Sequence, residues 1–321
     1  MSAHNLLNSP SSASKSARWT GINKFVAPTA IIRPKLPAVR ICLRKEQSLI
    51  PVIAHIPIII KARQITKRGG KVTKKIAVLT GAGISTSAGI PDFRGPDGVW
   101  TRHPEQMSVY DIEAFVSDKD QREYSWAWQK ASPVWSAKPG KAHQALVKLE
   151  QAGLLTLLAT QNFDALHEKA GNSPDVIVNL HGTIGTSHCM KCHAAYNTAD
   201  IMAKLDQEPD PHCRRPLPYQ GNMPCDGLIK TDVVYFGEML PEGAMEKSLK
   251  KVRQADEFWV IGSTLEVFPA ASLTPAAAQA GVPITIMNMG RTQYDNIATR
   301  LIHEDIATAL PKLVEQSIAE G

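Results

Sequence analysis

Apolar and polar positions divide the chain into an irregular first quarter and a rhythmic remainder. From residue 75 onward, short runs rich in β-branched residues recur at 75–80, 154–160, 175–180, 258–262 and 283–288. Each has the length and composition of a buried strand. A different period lies between the first two runs, where Ala142, Ala145, Leu146 and Leu149 fall at i, i+3, i+4 and i+7. That spacing predicts a helix over 141–152, with Gly153 as its C-terminal stop. Strands alternating with helices predict an α/β fold, a parallel sheet covered on both faces. Residues 183–232 break the rhythm. They are rich in Cys, His and Pro and weakly periodic, and they read as an inserted module. No internal repeat is evident.

Charge is distributed as unevenly as hydrophobicity. Residues 1–75 hold 15 Lys and Arg against one acid, Glu46, and carry +14, whereas the remainder carries −8. Residues 1–74 are therefore set apart as a basic leader, expected to be disordered. Three readings fit it: an organelle transit peptide, a basic tail that contacts acidic partners, or an unstructured extension. A cytoplasmic protein is expected, or a mitochondrial one if the leader is a transit peptide. The apolar run 50–60 is interrupted by Pro51 and Pro57, and no uncharged apolar stretch is long enough to span a bilayer. The acidic body offers no nucleic-acid footprint. Five Cys are too few for a disulfide scaffold.

Candidate chemistry gathers at the ends of the predicted strands, where open parallel sheets bind their ligands. The first strand runs into Gly81-Ala82-Gly83, but Thr86 stands where the ordinary dinucleotide fingerprint has its third glycine. Alone, this is as consistent with a tight strand-to-helix turn as with a phosphate cradle. The following Ile-Pro-Asp-Phe-Arg (90–94) adds a loop suited to holding a ligand, because Asp accepts from amides and Arg forks onto phosphate or carboxylate. The second strand ends in Gln161, Asn162 and Asp164, which fit either a polar ligand or helix capping. The third ends at His181, a candidate general base. His103, His143, His167 and His303 read as surface or helix positions.

Cys189 and Cys192 have zinc-knuckle spacing, and Cys213 and Cys225 follow within 33 residues. Four thiolates would close the shell of a structural zinc. His188, His193 or His212 could replace one of them. A redox Cys-x-x-Cys is disfavoured, because no thioredoxin-like strand and helix flank it.

Together these residues resemble the sirtuin family of NAD-dependent protein deacylases, over roughly residues 75–313. The motifs are Gly-Ala-Gly-Ile-Ser (81–85), Ile-Pro-Asp-Phe-Arg (90–94), Gln-Asn-x-Asp (161–164), Leu-His-Gly (180–182), the Cys quartet, Phe-Gly-Glu (236–238), Gly-Ser-Thr-Leu (262–265) and Asn288. The resemblance implies a catalytic domain over 75–315. It would have a Rossmann-like sheet, a helical insertion near 95–140 and a zinc module at about 183–232. It implies NAD as co-substrate, structural zinc on Cys189, Cys192, Cys213 and Cys225, and acyl-lysine proteins or peptides as partners. Gly81, Ala82, Asp92, Phe93 and Arg94 would line the NAD loop. Gln161, Asn162 and Asp164 would hold ribose and nicotinamide. Gly262, Ser263, Thr264 and Asn288 would hold the phosphate and adenosine side, with Ile306 near the adenine. Residues 233–238 and 266–268 would pair with the substrate peptide. His181 would be the general base, drawing a proton from a ribose hydroxyl after the acyl oxygen has displaced nicotinamide. Lysine and acyl-ADP-ribose would be the products.

Several positions depart from the family pattern, among them Ser263-Thr264, which inverts the usual Thr-Ser but keeps both hydroxyls. Phe163 stands where Ile or Val is usual, and Ala165 replaces a Gly, at a cost if that position needs a positive φ. The stretch Tyr124-Ser-Trp-Ala127 lacks the Arg of members that prefer acidic acyl groups, which favours acetyl or another uncharged acyl group. The competing readings are mono-ADP-ribosyl transfer from the same NAD site and a non-enzymatic zinc-knuckle interaction module.

Overall fold

The computed structural model describes residues 74–320. The expectations for the leader up to residue 73 lie outside the described residues. Eleven strands occur among the described residues: β1 (Ile76–Thr80), β2 (Leu155–Thr160), β3 (Ile177–Asn179), β4 (Gly182–Cys189), β5 (Ala195–Asn197), β6 (Pro216–Leu217), β7 (Met223–Pro224), β8 (Ile229–Val233), β9 (Glu257–Ile261), β10 (Ile284–Met287) and β11 (Arg300–Ile302). Six of them form one sheet in the order β11-β10-β9-β1-β2-β3, with every pairing parallel.

Strand β1 is buried on both faces, which is why its sequence is an unbroken apolar run. Its alternate residues serve two cores. Ile76 and Val78 pack with Ala142, Leu146 and Leu149 of the helix Lys141–Gln151 and with Leu310 and Val314 of the helix Ile306–Glu320. Ala77 and Leu79 pack on the other face with Val252 of the helix Ala244–Gln254 and Leu273 of the helix Leu273–Gln279. Gly153 ends the first of these helices as the sequence predicts. It is left-handed at φ +74°, and its amide donates to Glu150 O at 2.8 Å.

The order of the sheet reverses at β1, between β2 and β9, and an open parallel sheet presents its ligand crevice at such a reversal. The register fixes what meets there. Thr80 lies level with Thr160 on one side and Ile261 on the other, so the turns beginning at Gly81, Gln161 and Gly262 emerge side by side.

Two insertions build a second core above this crevice. The helices Ile112–Ser117 and Lys119–Lys130 begin at Asp111 and Asp118, whose carboxylates accept the amides of Ala114 and Asp120 at 2.8 and 2.9 Å. The antiparallel sheet β5-β4-β8 and the hairpin β6-β7 form the other half. Phe115 and Trp126 from the helices share one core with Ile184, Ile229 and Val233 from the strands. Arg122 joins the halves by gripping Asp210 with two 2.8 Å hydrogen bonds. No helix among the described residues is long and apolar enough to cross a membrane.

Candidate active site

Three glycines bring the β1 and β9 turns into backbone contact. The Gly81 amide donates to Ile261 O and the Gly83 amide to Gly262 O, both at 2.9 Å. A Cβ on Gly81 would lie 2.6 Å from Gly262 O, and one on Gly83 would lie 2.7 Å from Gly262 Cα. Only glycine allows this approach. The amides of Ala82, Ser263 and Thr264 are left without a partner among the described hydrogen bonds. All three residues line a cleft of about 440 Å³. Unpaired amides converging at the end of a parallel sheet make a cradle for an anion such as a pyrophosphate.

Most of the sequence-predicted site residues meet in this cleft. Gly81, Ala82, Asp92, Phe93, Arg94, Gln161, Asn162, His181, Gly262, Ser263, Thr264 and Asn288 all line it. Ile306 is set apart. It begins its helix, and its side chain is buried in the core beneath the sheet. Asp92 shapes its own loop, since its Oδ1 accepts the Gly95 amide at 2.8 Å. Arg94 lies over the Trp100 ring, 5.0 Å from its centroid, and its guanidinium is 3.3 Å from Glu266 on the opposite wall.

The polar residues after β2 are held by one another. Gln161 donates to Ser263 Oγ at 2.8 Å, which ties the β2 turn to the β9 turn. Asn162 Nδ2 reaches Gly81 O and Ser85 Oγ, each at 3.2 Å. Ser85 ends the Gly-Ala-Gly-Ile-Ser motif without a role assigned from the sequence, yet it is the centre of this group: fully buried, it donates to Asp164 Oδ2 at 2.7 Å. Asp164 Oδ1 accepts the Leu166 amide at 2.9 Å, so one oxygen of this carboxylate caps the following helix while the other holds Ser85. Burial pushes the Asp164 carboxyl above its ordinary value, against the hydrogen bonds that oppose the shift.

Beneath these residues lie His143 and His167, their ring centroids 5.1 Å apart. Neither is a surface position. Both sit on helices as expected, but on faces packed against the sheet, and both are at most 1% exposed. His143 Nδ1 accepts the Gly140 amide at 3.2 Å, so its Nε2–H is directed to Ser85 Oγ at 3.4 Å. His167 Nε2 meets Thr80 Oγ1 at 3.0 Å, and its Nδ1 has no partner. Burial lowers His143 to about 4. Burial and then the neighbouring His143 lower His167 to about 3.

His181 follows β3 on the cleft side. Its Nδ1 is 3.0 Å from Gln161 O, and a carbonyl can only accept, so Nδ1 carries the proton. The Nε2 of the neutral ring is then the basic nitrogen. Burial lowers the His181 pKa, with the Gln161 hydrogen bond acting in the opposite direction, so the ring is neutral near pH 7.

A smaller chamber of about 190 Å³ adjoins the cleft. Its mouth is framed by Phe93, Tyr110 and Phe163, with Phe163 centred 6.2 Å from Phe93 and 5.6 Å from Tyr110. Its lining is mostly apolar, and Ser85, Ser132, Asn162 and Asp164 reach it. Tyr110 comes from the helical insertion and carries no strand-end signal, which is why the sequence reading missed it.

The four cysteines of the module come together with their sulfurs within 4.8 Å of one another. Cys189 and Cys225 sulfurs are 3.7 Å apart, and those of Cys192 and Cys213 are 3.6 Å apart. Zn–S bonds of about 2.3 Å in a tetrahedron require edges of about 3.8 Å, so this set fits zinc and leaves no open position. None of His188, His193 and His212 belongs to the cluster. His188 pairs with Asp232 at 2.6 Å, and His212 with Asp226 at 3.1 Å. Tyr196 donates its hydroxyl to Cys213 Sγ at 2.9 Å, a support for the ligand from outside the shell.

Comparison with known proteins agrees with this geometry. The Sir2 family model matches residues 81–269. The chain is 36% identical over 240 residues to NAD-dependent protein deacetylase 2 of Streptomyces coelicolor, covering 74% of this chain and 96% of that protein. It is also 36% identical over 238 residues to the NAD-dependent protein deacetylase of Thermotoga maritima, covering 74% and 91%. A solved structure of Sir2 with a p53 peptide and NAD+ superposes with a TM-score of 0.66 at 34% identity, covering 76% of this chain and 94% of that one. A structure of Sir2Tm bound to a propionylated peptide superposes with a TM-score of 0.65 at 33% identity, covering 76% and 94%.

Proposed function

The chain belongs to the Sir2 family, and from that premise we propose that it is an NAD-dependent protein-lysine deacetylase, active on acetyl or other uncharged acyl groups. The acyl group passes from lysine to ADP-ribose, nicotinamide is released, and one water is consumed in freeing the lysine amine. The observation that carries this reading is the environment of His181. Its Nδ1 is committed to Gln161 O, its Nε2 is free to accept a proton, and it lines the same cleft as the unpaired amides of Ala82, Ser263 and Thr264.

NAD supplies a glycosidic bond to a cationic leaving group, and the remaining chemistry is positioning and proton transfer. The amide cradle and Arg94 bind the pyrophosphate. Gly262 gives the close approach there, and Asn288 lies on the adenosine side with Ile306 behind it. Gln161, braced by Ser263, faces the ribose. Asn162 and Asp164 hold the carboxamide of nicotinamide at the inner chamber, where the aromatic mouth of Phe93, Tyr110 and Phe163 excludes water. His181 Nε2 takes a proton from a ribose hydroxyl so that the oxygen can attack the acyl carbon. Zinc on Cys189, Cys192, Cys213 and Cys225 stabilises the module and takes no part in the reaction.

The catalytic domain spans 75–315, with the zinc module at about 183–232 inserted. The compartment follows the leader: cytoplasmic while it is retained, mitochondrial where it is cleaved as a transit peptide. The function is tested by mass spectrometry of the products of NAD and an acetyl-lysine peptide, expected to be free lysine peptide, nicotinamide and acetyl-ADP-ribose. His181→Ala is expected to keep zinc and NAD binding while losing deacetylation. Label passing from NAD to an acceptor protein without any acyl peptide would favour ADP-ribosyl transfer instead.

A further inference from the structure

Lys230 is the most deeply buried cation among the described residues, with its side chain 2% exposed. Every partner it has lies on the segment it precedes. Its Nζ donates to Thr231 O at 2.8 Å and to Val233 O at 2.6 Å, and it lies 3.0 Å from Glu238 Oε2. The ammonium also sits over the Tyr235 ring, 4.0 Å from the centroid. Two carbonyls, a carboxylate and a ring face all favour a positive charge at this point.

Glu238 closes the loop from the other end. The same Oε2 that meets Lys230 accepts the Tyr235 amide at 2.7 Å. The adjoining backbone groups are also engaged. Val234 N–H donates to His181 O at 2.9 Å, Phe236 N–H donates to Tyr110 O at 2.7 Å, and Phe236 O accepts from Ile112. Within 233–238 this leaves the C=O groups of Val234 and Glu238 and both backbone groups of Gly237 without a partner among the described hydrogen bonds, and all three residues line the cleft.

The geometry points to Lys230 as a positioning residue for the acyl-peptide substrate. Held by Glu238, it fixes residues 233–238 so that only the backbone groups needed by an incoming strand remain open. Through Val233 O and the adjacent Val234 N–H it also sets the backbone of His181. This rests on the reading that residues 233–238 pair with the substrate peptide. The clamp is not itself a catalytic group, because it touches neither cofactor nor reacting atoms.

The test separates positioning from simple stability by a cycle of three variants: Lys230→Met, Glu238→Gln and the double variant. Glu238→Gln strands a buried charge, so its melting temperature should fall, and the double variant, which removes both charges, should recover much of that loss. The KM for an acetyl-lysine peptide should rise about tenfold in all three, because charge-assisted hydrogen bonds to the pairing segment are lost. NAD affinity by calorimetry should stay within about twofold of wild type, because the cradle is built elsewhere. Should the peptide KM of the double variant return to wild type along with its melting temperature, the clamp is structural and the proposal falls. An unchanged KM in Lys230→Met overturns it equally, and if that variant does not fold, the KM of Glu238→Gln decides. A wild-type protein with no NAD-dependent deacylation would instead overturn the function and the clamp together.

Discussion

The Ser85 hydroxyl donates to Asp164 Oδ2 at 2.7 Å, in a position where the carboxylate is only 5% exposed. Ser85 receives as well as gives, since Asn162 Nδ2 and His143 Nε2 both approach its oxygen. A buried polar group with every valence used is held in one orientation. Asp164→Asn keeps the size of the side chain but turns one acceptor into a donor facing the Ser85 hydroxyl or the Leu166 amide. We expect kcat to fall about 100-fold or more, in line with the loss of a positioned group at a reacting centre. Far-ultraviolet circular dichroism should be unchanged. Steady-state kinetics and nicotinamide exchange from labelled NAD check this, and the exchange should fall with kcat.

The His143–His167 pair makes the fold acid-sensitive. Both imidazoles are neutral in the folded protein, at about 4 and about 3, while unfolded histidine titrates near 6.5. Below 6.5 the unfolded chain therefore binds protons that the folded one refuses. Stability is full above that pH and is lost as pH falls toward 4 and then 3. Shifts of this size correspond to a few kcal/mol for each imidazole. Chemical denaturation between pH 7.5 and 4.5 should show a declining stability, and His167→Gln should flatten the decline. Activity should fail over the same acid limb for a second reason, the protonation of His181.

The zinc site should govern stability without governing chemistry. Cys213→Ser removes a buried ligand that also accepts the Tyr196 hydroxyl. Atomic emission should read less than one zinc per chain, and the module should become protease-sensitive. NAD affinity should change little, because the cradle at Ala82, Ser263 and Thr264 is built on the parallel sheet.

The sequence exposed the parallel sheet because buried strands must be apolar and their turns must carry glycine or amides. Five of its six strands lie where apolar runs predict them. The sixth, β11, was hidden because Arg300, Leu301 and Ile302 form a three-residue edge strand with two exposed side chains. Strands β4, β5 and β8 were hidden for another reason. Their core is shared with cysteines and with helices far away in sequence, so no local alternation marks them. The two buried histidines escaped because a helix-face count scores only apolar residues. On the helix Lys141–Gln151 the buried face is wide enough to include His143 beside Ala142. Tyr110 and Ser85 show the same limit at the site, since their role depends on an insertion folding back and on a neighbour's hydrogen bonds.

Ala165 provides the last test, because sequence and structure meet there most directly. It stands where the family pattern has glycine, and its backbone is left-handed at φ +57°, ψ +22°. The constraint is local: Asp164 must turn its carboxylate back to the Leu166 amide while Leu166 begins the next helix. An L-residue in that region is destabilised by roughly 1–2 kcal/mol relative to glycine. Glycine's greater freedom in the unfolded chain offsets about 0.4–1 kcal/mol of this. Ala165→Gly should therefore stabilise the protein by somewhat under about 1 kcal/mol, a rise in Tm of about 2 °C for a domain of this size. Calorimetry checks the rise. A fall in Tm would mean that the left-handed turn is relaxed in solution, and that Asp164 is held by Ser85 alone.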